Sequence, residues 1–158
     1  MNHRKPVETL HDLVLDLGPG QRLMGLDVGS KTIGVALSDL GRTIATPTAT
    51  VRRRKFTADA QALGGIIEDN QVGGLVIGLP LNMDGSEGPR CQSVRQFAAN
   101  LLGRIDIPTA FWDERLSTVS AERVLIEADM SRKRRAQVID KMAAAIILQG
   151  ALDRLSFS

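Results

Sequence analysis

The sequence predicts an α/β fold: a mixed sheet of five strands, the first three antiparallel and the others joined by parallel crossovers, flanked by helices. Three observations carry this. Residues 22–28 and 31–38 are apolar runs separated by Gly29-Ser30, which reads as a two-residue hairpin with Gly tolerating positive φ at its first central position. Residues 75–79, Leu-Val-Ile-Gly-Leu, are apolar on both faces, as a central strand covered by helices must be. From Phe56 onward, segments of helical period alternate with short strands, the pattern of βα crossovers.

The elements follow in order. Residues 7–17 predict a short helix ended by Gly18-Pro19-Gly20, an appendage to the core. In the second strand Ile33, Val35 and Leu37 alternate with Thr32, Gly34, Ala36 and Ser38, so one face is large and apolar and the other small. A third strand over 43–51 contains Pro47, which marks an edge or a bend. Phe56, Ala60, Leu63, Ile66 and Ile67 place one apolar side on a helix over 56–70. A polar loop spans Pro80 to Pro89, and Val94, Phe97, Ala98 and Leu101 mark a helix over 90–103. The last strand is Thr109 to Trp112. A helix over 117–128, a basic loop over 129–135 and a final helix to about Leu155 complete the chain.

The 158 residues, 43% of them apolar, suffice for one domain with a core. We expect a domain over 21–158 preceded by an extension over 1–20. No signal-peptide pattern opens the sequence, and the longest apolar stretch, Met142–Leu148, is too short to cross a bilayer. A cytoplasmic protein with no membrane partner is expected. One cysteine, Cys91, excludes an intramolecular disulfide and a cysteine-rich zinc site. With only His3 and His11, both in the extension, histidine acid/base chemistry is not expected. The net charge is only +2, but Arg52-Arg53-Arg54-Lys55 and Arg132-Lys133-Arg134-Arg135 form two basic clusters suited to a polyanion, or to two solvated loops. With no Tyr, one Trp and four Phe, a stacking platform for unpaired bases is poorly supplied.

Three carboxylates stand in unusual places. Asp27 lies within the first strand on the face of Leu23 and Gly25, where a buried charge is costly unless paired or metal-bound; it could also cap the Gly29 turn. Glu114 follows the strand ending in Trp112-Asp113, at the end where such sheets bind ligands. Asp113 competes for the role, and strand alternation lets only one of the two point inward. At 100° per residue, Lys141, Ala145, Gln149 and Asp153 fall on one arc of the last helix, expected to face solvent. Asp140 points the other way, with Ala136, Ala144, Ile147 and Ala151, toward a sheet end; near the helix start it could also complement the dipole. Three gathered anions repel, and a hard divalent cation such as Mg²⁺ or Mn²⁺ relieves that repulsion through oxygen ligands. Such a cluster near a basic rim suits phosphodiester hydrolysis.

The stretches GLDVGSKTIGVALSD, VIGLPLNMDGSEGP, DERLSTVSA and VIDKMAAAIILQ, in that order, resemble the YqgF family over about residues 22–155. Its members are described as Holliday junction resolvases and, more often, as pre-16S rRNA nucleases. The resemblance implies a ribonuclease H-like fold, with Asp27, Glu114 and Asp140 as catalytic and metal-holding acids, and it favours Glu114 over Asp113. Asn82, Asp84, Gly85 and Ser86 match the family's loop after the central strand, for substrate contact or loop shape. Lys31, Arg90, Arg115 and Arg132, Lys133, Arg134 and Arg135 complete the expected nucleic-acid contacts. The implied function is metal-dependent trimming of the 5′ end of the small-subunit rRNA precursor, by a monomer or homodimer. The rivals are cutting of branched DNA, which normally takes a two-fold dimer, and a non-enzymatic nucleic-acid or ribosome-assembly module. A sugar-kinase or actin-like reading of DVGSKTIGVA needs a second domain that this length does not supply.

Overall fold

The structure is a computed structural model that describes residues 5–7, 9–15, 17–117 and 132–157, without the side chains of 132–137. The elements are α1 (Leu10–Leu15), β1 (Arg22–Val28), β2 (Thr32–Ser38), β3 (Ala45–Arg52), α2 (Phe56–Asp69), β4 (Val72–Leu79), α3 (Pro89–Leu102), β5 (Thr109–Asp113), a 3-10 turn (Glu114–Leu116) and α4 (Arg132–Ser156). Of the helix expected over 117–128, Ser117 caps the 3-10 turn in extended backbone, and the rest falls outside the described residues.

Five strands form one sheet in the order β3-β2-β1-β4-β5. β1, β2 and β3 pair antiparallel, and β1–β4 and β4–β5 pair parallel. The mixed topology is therefore the one the residue patterns predict. β3 is an edge strand, and its register slips where Ala36 meets Pro47, because proline cannot donate to the ladder. Gly29 donates to the Thr32 carbonyl at 2.9 Å, so Ser30 and Lys31 form the hairpin tip, and Gly29 does not take positive φ as expected. A side chain there would press on the Thr32 carbonyl, 2.9 Å from its Cβ.

Alternation along the strands makes two apolar layers. Met24, Leu26, Ile33, Val35, Leu75 and Ile77 face α2 and α3. Leu23, Ala36, Val76, Ala110 and Trp112 face α4, whose Ala144, Ile147, Leu148 and Ala151 are fully buried. The small face of β2 is the one beneath α4. Small residues let that helix lie close: a Cβ on Gly25 would stand 2.7 Å from Leu148 Cβ and 2.9 Å from the Ala144 carbonyl.

Further expectations change. The N-terminal segment is packed in rather than appended: Leu13 is fully buried against Gly74, and Val7 donates to the Thr109 carbonyl at 2.8 Å, capping the β5 edge. The residues 132–135 belong to the helix, so they are not a loop, and Asp140 lies in the third turn rather than the first. The helix dipole therefore does not explain it, since that effect fades beyond one turn. Gln149 and Ala145 do not face open solvent. Ala145 is buried, and Gln149 accepts from Ala45 N at 2.9 Å and donates to the Thr43 carbonyl at 3.0 Å, because α4 runs across to the β3 edge.

Candidate active site

Asp27 is 4% exposed, on the α4 face of a strand whose other residues on that face, Leu23 and Gly25, are apolar. Its neighbours across the sheet are both glycines. Gly34 of β2 pairs with it directly, and Gly78 of β4 lies one step beyond the paired Leu26 and Ile77. Each glycine makes room for something. A methyl group on Gly34 would overlap the Asp140 backbone carbonyl, with Lys141 N only 2.9 Å away. One on Gly78 would run into the Ile147 side chain and stand 3.2 Å from Glu114 Oε1, an atom sealed from solvent. The fold thus brings residues 27, 114 and 140 to one row at the carboxyl end of β1 and β4, where crossover sheets bind ligands.

Glu114 and Asp113 separate as strand alternation requires. Asp113 turns away and is clamped by Arg115, whose Nη2 and Nε donate to its Oδ2 at 2.7 and 3.1 Å while its backbone N–H donates to Oδ1 at 3.0 Å. That guanidinium holds the Asp113 carboxyl below its ordinary range. Asp140 accepts a hydrogen bond through Oδ2 from the Thr32 hydroxyl. Among the described residues, no three or more His, Cys, Asp and Glu side chains already stand close enough together to hold a metal ion. Residues 27, 114 and 140 share the row without already forming a ligand cage.

An open cleft of about 1260 Å³ adjoins the row at Asp140. Lys31, Arg52, Arg53, Arg90 and Lys141 line it, and among the described residues Asp140 is its one acidic wall residue. Of the expected contacts, Lys31 at the hairpin tip and Arg90 at the start of α3 are exposed here. Arg53 is tied down: its Nη1 donates to the Gly29 carbonyl at 2.7 Å, its guanidinium stacks 5.2 Å from the Phe97 ring centroid, and Asp59 lies 3.9 Å from its Nε. The side chains of Arg132, Lys133, Arg134 and Arg135 lie outside the described residues.

The loop after β4 holds its own shape. Asn82 Nδ2 donates to Ser86 Oγ at 2.9 Å, and Ser86 N and Oγ both donate to Asp84 Oδ1, at 2.9 and 2.6 Å. These bonds hold the Asp84 carboxyl below its ordinary range. Gly85 has φ +88°, a left-handed conformation suited to glycine, and packs on the Arg115 guanidinium, which also donates to the Met83 carbonyl at 3.3 Å. The motif's polar residues bond to one another here, which fixes the loop's shape.

The sequence reading passed over Thr32 and Lys141, and it did not see Gly34 and Gly78 as the walls of the site. The signal present was the small face of β2 and a glycine inside the apolar strand β4.

A family model described as "RuvX: Holliday junction resolvase" matches residues 21–154. A Paramagnetospirillum magneticum protein is 62% identical over 151 residues, covering 96% of this chain and 97% of its own. One from Roseobacter denitrificans is 62% identical over 151 residues, covering 94% and 93%. Both carry the name pre-16S rRNA nuclease. Thermus thermophilus RuvC, solved in complex with a Holliday junction substrate, superposes with a TM-score of 0.54 at 9% identity, over 86% of this chain and 96% of that one. At that identity the likeness is one of fold, and the fold is ribonuclease H-like.

Proposed function

The chain belongs to the RuvX family, and on that membership we propose that it is a metal-dependent nuclease trimming the 5′ end of the 16S rRNA precursor. The reaction class is hydrolysis of phosphodiester bonds, and the protein is a nuclease. The observation that supports the site is the buried Asp27 flanked by Gly34 and Gly78, with the Asp140 backbone against one and the Glu114 carboxylate over the other.

The residues suit Mg²⁺ or Mn²⁺. Asp27, Glu114 and Asp140 offer only oxygen donors, the preference of hard divalent cations, and the two glycines beside Asp27 let the Asp140 backbone and the Glu114 carboxylate approach it. Bound there, the ion would lower the pKa of a water and stabilise the leaving oxygen. The chain's own residues do the rest. Asp27 contributes a charge fixed in a rigid sheet, which keeps its position without reorganisation. Lys31, Arg52, Arg90 and Lys141 attract phosphates into the cleft next to the acids. The Asp113–Arg115 clamp and the hydrogen-bonded loop over 82–86 form a rim of fixed shape beside Glu114. A cytoplasmic setting belongs to the same reading, since the proposed substrate is a ribosomal precursor.

Junction DNA is the second substrate reading, favoured by the description of the family model. Side-by-side cleavage of a 16S precursor with its 5′ extension and of a four-way DNA junction separates the two. Trimming of the precursor at intact junction supports our reading, and the reverse pattern replaces it. If Asp27→Asn, Glu114→Gln and Asp140→Asn each retain the wild-type rate, the catalytic assignment falls.

A further inference from the structure

We propose that Thr32 is a positioning residue that orients the Asp140 carboxylate for metal binding, an inference that rests on the reading of Asp140 as a metal-holding acid. Thr32 opens β2, and two residues on, along the same face, is Gly34. These two residues constrain Asp140 in different ways. Gly34 accepts the Asp140 backbone directly on the sheet, which fixes where α4 crosses. Thr32 then donates its hydroxyl to Asp140 Oδ2, which selects the orientation of the carboxylate on that fixed backbone. An aspartate has two rotatable side-chain bonds, so one directed hydrogen bond on an immobilised backbone suffices to choose its rotamer.

The donor has a rigid mount. The Thr32 carbonyl accepts from Gly29 N at 2.9 Å, the Lys31 carbonyl accepts from Arg53 N at 2.9 Å, and Arg53 Nη1 donates to the Gly29 carbonyl at 2.7 Å. Thr32 is also paired with Arg52 of β3. The hydroxyl therefore projects from the base of a braced hairpin. Strand geometry at this position asks only for a β-branched side chain, which valine also provides. The hydroxyl is what reaches Asp140. Partners of this kind orient carboxylate ligands, and their loss typically costs roughly 10- to 100-fold in metal affinity.

The test is Mn²⁺ binding to the full chain without nucleic acid, by titration calorimetry, with cleavage measured on the same preparations across Mn²⁺ concentrations. Thr32→Val is expected to weaken Mn²⁺ binding about ten-fold. It should raise the Mn²⁺ needed for half-maximal cleavage by the same factor and leave kcat at saturating Mn²⁺ within about two-fold. Thr32→Ser, which keeps the hydroxyl, should restore wild-type binding. Thr32→Ala gives the same readout if the valine variant folds poorly. The role of Thr32 is overturned if removing the hydroxyl leaves Mn²⁺ affinity at the wild-type value while Asp140→Asn abolishes binding, or if Thr32→Ser binds as weakly as Thr32→Val. If Asp140→Asn itself binds Mn²⁺ like the wild type, the underlying reading of Asp140 fails.

Discussion

The backbone carbonyl of Asp140 rests against Gly34, the residue paired with Asp27 across β1 and β2. One glycine thereby sets the distance between a sheet acid and a helix acid. Gly34→Ala forces α4 away from the sheet, and overpacking of this kind costs about 1–3 kcal/mol. Thermal unfolding should show the loss, and cleavage should fall with it. Gly65→Ala is the contrast. Nothing lies within 4 Å of its added methyl, on the exposed side of α2, so helix propensity predicts a gain of about 0.8 kcal/mol.

Glu114 and Asp113 are adjacent in sequence and, on the proposed reading, opposite in role. Glu114→Gln removes a proposed metal-holding carboxylate, so it should lower cleavage at least as much as loss of a ligand-orienting partner does, about 100-fold. Asp113→Asn should keep cleavage within a few-fold and loosen the Arg115 clamp. The clamp also carries a pH signature. Hydrogen bonding from Arg115 lowers the folded-state pKa of Asp113 from its ordinary 3.8. Its contribution to stability is therefore present above pH 3.8 and lost as pH falls through the lower folded value. Denaturation midpoints of wild type and Asp113→Asn should differ by a constant amount from neutrality down to about pH 4 and converge below it.

Arg52 and Arg53 should divide by function. Arg52 is exposed in the cleft, so Arg52→Ala should weaken RNA binding and reduce the slope of log affinity against log salt by about one, with stability unchanged. Arg53 braces the Gly29 turn and lies over Phe97. Arg53→Ala should lower the unfolding temperature, which thermal denaturation of the two variants measures.

Cys91 is fully buried, and burial first, then the Glu87 carboxylate at 3.3 Å, pushes its thiol pKa upward. The thiolate is the reactive form, so a disulfide reagent should label it only as the chain unfolds. The labelling rate against denaturant should follow global unfolding; fast labelling of the folded protein at neutral pH would contradict the packing of α3.

Much of this was legible in the sequence because alternation is a local signal. The small row Thr32, Gly34, Ala36 and Ser38 was readable as a small face, though not as the one beneath α4, and Asp27 stood out as a carboxylate in an apolar strand. Asp113 and Glu114 were separable only as opposites; which of them points inward depends on the Arg115 clamp and on the space at Gly78. The Thr32–Asp140 bond joins residues 108 apart, and no local pattern encodes it. The packing of Leu13 on Gly74 was missed for the same reason, since the glycine's role is visible only once the two segments meet. The hairpin misread has a different cause: Gly29 is there for contact with the Thr32 carbonyl rather than for φ.

The central claim is that Asp27, Glu114 and Asp140 hold one divalent-cation site. Anomalous diffraction from a crystal soaked in Mn²⁺ addresses it directly. The account predicts a peak held by carboxylate oxygens of these three residues at about 2.0–2.6 Å, the range of hard divalent cations on oxygen. A catalytically active crystal whose Mn²⁺ peak lies elsewhere, or whose ion is held without them, would contradict it.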